Sequence, residues 1–513
     1  MSIVAAALCF AVFFLFLLGG CSPLPSLENR TVSSVLQDTG DTRMGRRLEP
    51  LAAAHPGKSG IHPLADSLDA FAARVHLARS ADRSLDIQYY IWRKDTTGML
   101  LFRALYEAAE RGVRVRLLLD DNNTQGLDPT LATLDSHPNI EVRLFNPFVI
   151  RSPRALGFLT DFSRLNRRMH NKSFTADNQA TIIGGRNVGD EYFGATDGVL
   201  FADLDVLAVG PVVHQVSTDF DRYWASDSSY PADRLLRAAD PEALAEFEAV
   251  TGRLEQRPVI APYLQAVSKT AFIESLAAGT LPLEWAATRM VSDDPAKALG
   301  KAERERTLPV QLLEILGRPD SEVALISPYF VPTAIGVDAF VALAARGVRV
   351  HILTNSLEAT DVSVVHSGYA HRRKPLLEGG VELYEMRRLS PEPEEGRSGP
   401  LGSSPSSLHA KTIAVDRSRV FVGSFNFDPR STWLNTELGF VIESPTLADR
   451  LEDLFLGPIN QNAYQVKLSE TGQLYWIEHR NDEIVRHDVE PGTSLWLRAW
   501  IGFVALLPIE WLL

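Results

Sequence analysis

The 513-residue sequence predicts an α/β fold made by duplication, with two sheet-and-helix halves packed around one shared site. Three observations predict it. Strand-like β-branched runs alternate with helical stretches, the order that argues helix-covered sheets. That alternation occurs twice, displaced by 235 residues between Arg111-Gly112-Val113-Arg114-Val115 and Arg346-Gly347-Val348-Arg349-Val350. A His-x-Lys-x4-Asp pattern also occurs twice, displaced by 239 residues, at His170, Lys172 and Asp177 and at His409, Lys411 and Asp416.

From the amino terminus, residues 3–18 are almost unbroken apolar and lead into Leu18-Gly19-Gly20-Cys21. That is the form of a bacterial lipoprotein signal with Cys21 as the lipidated residue, although no Lys or Arg precedes the apolar run. An uncleaved membrane anchor is the alternative. Either reading expects segment 1–21 to place the chain at a membrane, and the first expects an exported, lipid-anchored protein. Residues 22–60, rich in polar and turn-forming side chains, read as a tether.

The first half, 61–255, carries a strand over 85–92, a helix over about 97–111, a strand from Val113 and another at Ile140–Leu144. In the second half, 256–470, the counterparts are a strand over 323–331, a helix over about 334–345, a strand from Val348 and one at Gly380–Tyr384. Strands alternating with helices through short turns predict a mostly parallel sheet in each half. Residues 389–407, rich in Pro, Ser and Gly, read as a mobile loop directly before His409, placed either as a lid or as a passive insertion. The final segment, 471–513, ends in an apolar stretch with Trp496, Trp500 and Trp511, interrupted by Pro508. It predicts a segment that docks in a membrane interface rather than one that spans it.

A formal net charge of −13 opposes attraction to phosphate polymers, so nucleic acid is not an expected partner. The two cysteines, Cys9 and Cys21, both precede the folded body, which therefore has no thiol nucleophile, disulfide or cysteine zinc site. Asp120-Asp121 at a strand end resembles a metal pair but lacks a neighbouring third ligand, and reads as a turn or helix cap. No metal and no cofactor are expected.

The doubled motif carries the chemistry. From His to Lys is two positions, to Asp seven and to Asn seventeen, in both copies. His and Lys at i and i+2 share one face of an extended chain. Asp177 and Asp416 fall at tight turns, after which the chain returns Asn187 and Asn426, with Ser424 nearby, to the same edge as phosphate ligands. Two imidazoles, two ammonium groups and two amides around one cavity suit a phosphodiester. One imidazole attacks phosphorus while the other protonates the departing alkoxide, and the lysines neutralise the nonbridging oxygens. A nucleophilic imidazole needs an acceptor on its other nitrogen. Glu437 is the expected partner of His409, and Asp203 that of His170, with Asp205 as the rival. Tyr89 and Tyr90 read as core residues or as the cavity mouth, and His366 as a headgroup ligand or plain helix surface.

With Arg168-Met169-His170-Asn171-Lys172 and Leu408-His409-Ala410-Lys411, together with Asn355-Ser356-Leu357-Glu358-Ala359-Thr360-Asp361 and the Leu507-Pro508-Ile509-Glu510-Trp511 ending, the chain resembles the phospholipase D superfamily and, within it, bacterial cardiolipin synthases. The resemblance covers most of residues 65–470. It implies transfer of a phosphatidyl group between phospholipids, phosphatidylglycerol or phosphatidylethanolamine, at a membrane surface. It also implies His170 as nucleophile, His409 as acid, and the motif aspartates as braces rather than proton carriers. Hydrolysis of phospholipid to phosphatidic acid is the alternative activity, and a nuclease of the same superfamily the more distant one.

Overall fold

Two tight turns organise the molecule. Asp177 and Asn178 adopt φ of 51° and 52°, Asp416 and Arg417 51° and 49°, the left-handed geometry that returns a strand directly beside itself. The computed structural model describes residues 24–194, 202–254, 256, 260–269, 271–388, 408–480 and 483–513.

The first sheet contains β1 (Ser59–Leu64), β2 (Ser84–Ile91), β3 (Arg114–Asn123), β4 (Ile140–Phe145), β5 (Ser173–Ala176), β6 (Ala180–Gly184), β7 (Asp205–Val209), β8 (Ser229–Pro231) and β9 (Glu284–Ala286). Their order is β8-β4-β3-β2-β5-β6-β7-β1-β9. The second contains β10 (Thr288–Ser292), β11 (Glu322–Ile326), β12 (Arg349–Asn355), β13 (Glu382–Met386), β14 (Thr412–Val415), β15 (Arg419–Gly423), β16 (Leu438–Glu443), β17 (Ala463–Leu468), β18 (Leu474–Arg480) and β19 (Glu483–His487). Its order is β10-β16-β15-β14-β11-β12-β13-β17-β18-β19.

The duplication is therefore a duplication of sheets, but these are mixed rather than mostly parallel. Only β2-β3-β4 and β11-β12-β13 run parallel. The motif hairpins β5-β6 and β14-β15 pair antiparallel because a three-residue connection cannot make the crossover that a parallel pair needs, and β7 and β16 pair antiparallel beside them.

The inner faces of the two sheets meet in one apolar layer. Ile61, Ile183, Val206 and Ala208 of the first pack with Ala324, Ile326, Val420, Val422 and Phe440 of the second. Chain passage between the halves occurs at Ala287, where β9 has paired with β1 and β10 goes on to pair with β16, and not near residue 255. Helices Ala243–Leu254 and Ala261–Lys269 remain with the first half because they are amphipathic: Phe247 and Tyr263 enter its core.

Of the segment expected as a tether, the described residues 24–60 are packed instead. Arg143 donates to the Thr31 carbonyl at 2.6 Å, Trp224 to Ser33 at 3.0 Å, and the Val35 amide to Asp221 at 2.9 Å. Met44, on helix Arg43–Ala53, joins the first-half core. At the other end, β18 and β19 widen the second sheet, and the half-buried Glu490 packs against His366 at 2.8 Å and against Arg373. His366 is thus an internal anchor for the C-terminal segment rather than a plain helix surface. Beyond it, helix Leu495–Val504 and the residues after it leave Trp496 84%, Leu506 83% and Trp511 57% exposed. No helix among the described residues is long and apolar enough to cross a membrane. Cys21 and the 389–407 loop lie outside the described residues.

Candidate active site

Each motif histidine sits just before a strand and is held by backbone from the opposite half. The His170 amide donates to the Thr436 carbonyl at 2.9 Å, and the Thr436 amide to the Arg168 carbonyl at 2.9 Å. In mirror fashion the His409 amide donates to the Ala202 carbonyl at 2.8 Å. Thr436 precedes β16 and Ala202 precedes β7, so each histidine lies against the entry to the other half's equivalent strand.

That placement exchanges the carboxylates. His170 Nδ1 lies 2.8 Å from Glu437 Oε2, and His409 Nδ1 lies 2.5 Å from Asp203 Oδ2. Both acids belong to the site, but the same-half pairing expected from the sequence is wrong. Strand register puts Asp203 and Glu437 at equivalent places, since Gly184 faces Asp205 and Gly423 faces Gly439. What sequence adjacency could not show is that the histidine beside each acid comes from across the interface. The rival Asp205 faces Arg74 at 2.8 Å and Arg186 at 3.4 Å, and braces those guanidiniums.

The lysines follow the expected face. Lys172 donates to the His170 carbonyl at 2.6 Å, and Lys411 to the His409 carbonyl, with His409 Nδ1 3.0 Å away. Burial pulls Lys172 down to about 7 and Lys411 to about 8. Burial, then Lys411, pushes His409 down to about 3, and burial with both lysines pushes His170 well below its ordinary value. The crossed histidine–acid contacts make this one site, in which both lysines act on both imidazoles. Burial lifts Glu437 to about 7. The same burial opposes ionisation of Asp203, but His409, Lys411 and Arg186 outweigh it and hold its carboxyl below the usual range. A neutral imidazole giving its Nδ1 proton to a carboxylate carries its lone pair on Nε2, the form a nucleophile needs.

The motif aspartates are the braces that the resemblance implied, whereas Ser424 departs from its expected role. Asp177 accepts the Asp82, Arg83 and Ser84 amides at 2.8, 2.8 and 2.9 Å, and Asp416 accepts those of Asp320, Ser321 and Glu322 at 3.1, 2.7 and 3.1 Å. Grouped with His and Lys in the motif, they are backbone braces at the far end of the hairpin. Ser424, expected at the phosphate, donates instead to Glu437 and accepts the Leu438 amide at 3.0 Å. At its counterpart, Gly185, a Cβ would stand 2.1 Å from Asp203 Oδ1, so the first half needs glycine where the second uses serine. Asn187 is engaged by the Ile91 amide at 3.1 Å and by Tyr192 at 3.0 Å, whereas the buried Asn426 Oδ1 takes no hydrogen bond among the described residues.

The profile of the cardiolipin synthase, PLD-like domain matches residues 75–224 and 312–457, one copy over each half. The chain belongs to this family. Cardiolipin synthase C of Escherichia coli is 52% identical over 476 residues, which is 92% of this chain and all of that relative. A cardiolipin synthase of Staphylococcus aureus is 23% identical over 421 residues, 81% of this chain and 70% of the relative. Among solved structures, the phosphatidylserine synthase of Haemophilus influenzae matches with a TM-score of 0.57 at 13% identity, over 92% of this chain and all of that one, a likeness of fold.

In this member of the cardiolipin synthase family, four residues not singled out from sequence as site residues complete the surroundings. Asp120 accepts the Met169 amide at 2.8 Å and pairs with Arg168 at 2.9 Å, while Asn355 exchanges hydrogen bonds with the backbone of Leu408 at 3.1 and 3.3 Å. Both lie in the C-terminal part of the middle parallel strand of their sheet and grip the residue before the motif histidine; their shared 235-residue displacement was the available signal. Asp121 is occupied by Arg151, so the Asp120-Asp121 pair is a brace. Tyr192 meets the edge of His409 at a ring separation of 5.2 Å, as Tyr90 does His170 at 4.8 Å. Tyr329 donates to Asp361 at 2.8 Å. Tyr89 is core, bonded to Arg74 at 2.8 Å.

Proposed function

We propose that this protein transfers a phosphatidyl group from one phospholipid to a hydroxyl of another, phosphatidylglycerol in the first instance, and so makes cardiolipin. The carrying observation is the exchanged pair of histidine–carboxylate contacts, because it brings two imidazoles, each backed by an acid of the other half, into one buried site. His170 Nε2 attacks phosphorus, and the bond from phosphorus to the departing headgroup oxygen breaks. His409, protonated once the substrate anion offsets the lysines and supported by the ionised Asp203, gives its proton to that oxygen. The neutral His409 then takes the proton of the acceptor hydroxyl as its oxygen attacks the phosphohistidine, which releases His170. Lys172 and Lys411 hold the nonbridging oxygens throughout. The weaker second neighbour of His170, a Glu437 lifted towards neutrality by burial, suits a nucleophile that must stay uncharged.

A membrane surface is the proposed setting. Trp496, Trp500, Phe503 and Trp511 stand exposed at the C-terminal end, where amphipathic aromatic rings favour the headgroup region. The Leu18-Gly19-Gly20-Cys21 leader supports a lipid anchor at Cys21 in the same setting. The test is lipid analysis of cells lacking their own cardiolipin synthases. Expression is expected to produce cardiolipin and the His170→Ala protein none. Phosphatidic acid in its place identifies hydrolysis, and equal cardiolipin from the variant rejects the assignment.

A further inference from the structure

The duplication provides an internal comparison. In the first half, helices Ser67–Ser80 and Thr96–Glu110 pack on one another, the former also on helix Ala261–Lys269 and the latter on helix Ala243–Leu254, burying small residues such as Ala70, Ala73, Ala104 and Ala108. Arg111 stitches them by donating to the Ala78 carbonyl at 2.8 Å. Their second-half counterparts are Leu308–Leu316, only 9 residues against 14, and Thr333–Ala345. These stand apart, and between them runs a groove of about 570 Å³ lined almost wholly by apolar side chains. Leu312, Leu316, Ala339 and Phe340 form its walls, Ile413 and Phe427 its floor. At its lips Leu313 is 73% and Ile335 81% exposed. A monomer gains nothing from leaving apolar walls wet.

Continuity with the site says what belongs there. The floor starts at Phe427, the residue after Asn426, and at Ile413, two residues after Lys411. Pro429 and Trp433 close that end, and the Arg430 amide beside them donates to the Leu513 carbonyl at 2.9 Å, which joins the groove's end to the exposed C-terminal tryptophans. From Thr333 to Leu343 the groove follows helix for about 15 Å, close to one leaflet of a hydrocarbon core about 30 Å thick. We propose that this groove holds one acyl chain of the phospholipid whose phosphate lies between His170 and His409. The inference rests on the phosphatidyltransferase reading for its headgroup and on the groove's own chemistry for its chain. Of the two equivalent helix pairs, only the second half's stands open among the described residues, so this groove takes one chain of one lipid out of the bilayer and the two substrate lipids are held unequally.

Two variants act at the groove without touching the chemistry. Ala339→Trp fills it from a solvent-exposed helix position, and Leu313→Asp puts a charge on its lip. Each is expected to lower kcat/KM for a dioleoyl donor about tenfold more than for a dihexanoyl donor. Equal losses on both donors, or none, overturn the proposal. Binding is read separately in the inactive His170→Ala protein, with a fluorescent parinaroyl lysophospholipid as probe. The probe is expected to bind this protein and to lose affinity about tenfold when either groove substitution is added. Binding unchanged by both places the chain elsewhere and overturns the proposal. Groove-dependent binding in a protein that turns over no phospholipid rejects the functional reading and leaves the groove's ligand class standing.

Discussion

At the scale of single residues, the site is a set of groups kept away from their ordinary charge states by burial. The two lysines must be protonated to hold a phosphodiester, yet burial has brought them to about 7 and about 8. A lysine with a lowered pKa loses its proton as pH rises through that value, so kcat/KM for a soluble short-chain donor is expected to fall between about pH 7 and pH 8. Its substrate anion stabilises the ammonium forms, so the same fall in kcat is expected at higher pH. Parallel pH profiles of kcat and kcat/KM check this, and coincident alkaline limbs would contradict it. Asp203 and Glu437, equivalent by register, differ in ionisation because Asp203 stands nearer a surplus of cations while Glu437 is buried with Ser424 as donor. The sequence displayed both acids but could not display that difference, which depends on what else is buried beside them.

At the scale of elements, the unit is the hairpin β5-β6 or β14-β15 with its aspartate at one end and its histidine at the other. Asp177 and Asp416 each satisfy three backbone amides that would otherwise lack partners, joining the hairpin turn to the start of β2 or β11. Loss of such a buried acceptor costs about 1–3 kcal/mol. Asp177→Ala is therefore expected to shift the denaturant midpoint down by about that free energy, while the folded fraction keeps kcat within about threefold of the parent. A collapse of kcat with unchanged stability would return Asp177 to the chemistry. The turn position was legible from Asp-Asn and Asp-Arg, residues that tolerate positive φ; the three amides were not, since they come from the segment before another strand. The same limit applies to the sheets. Periodicity marked most strands, but parallel or antiparallel pairing followed from the hairpin turns and not from strand composition.

At the scale of the whole molecule, the halves share one apolar layer and exchange side chains at one end of it, so neither half contains a complete histidine–acid pair. Segment 24–58 straps the first half and segment 471–513 widens the second, which leaves the tryptophans of the last twenty residues facing solvent. If these meet a bilayer, replacing Trp496, Trp500 and Trp511 together by Ser is expected to weaken sedimentation with anionic vesicles by about tenfold or more, given the apolar area each ring removes from water. Activity on a dispersed short-chain donor is the comparison; loss there to the same extent would mean that the rings support the fold instead.

The sequence by itself determined the duplication, the two motifs, the turns that brace them and the eight histidine, lysine, aspartate and asparagine positions, because each is a local pattern that spacing and periodicity express. Tertiary structure alone decided which acid serves which histidine, for the partners stand 267 and 206 residues apart in the chain. It also decided that Ser424 supports Glu437, that helices Ala243–Leu254 and Ala261–Lys269 stay with the first half, and that one pair of helices parts to leave a groove. Each of these is settled by the packing of one half on the other, a competition among long-range contacts that no single stretch of chain encodes.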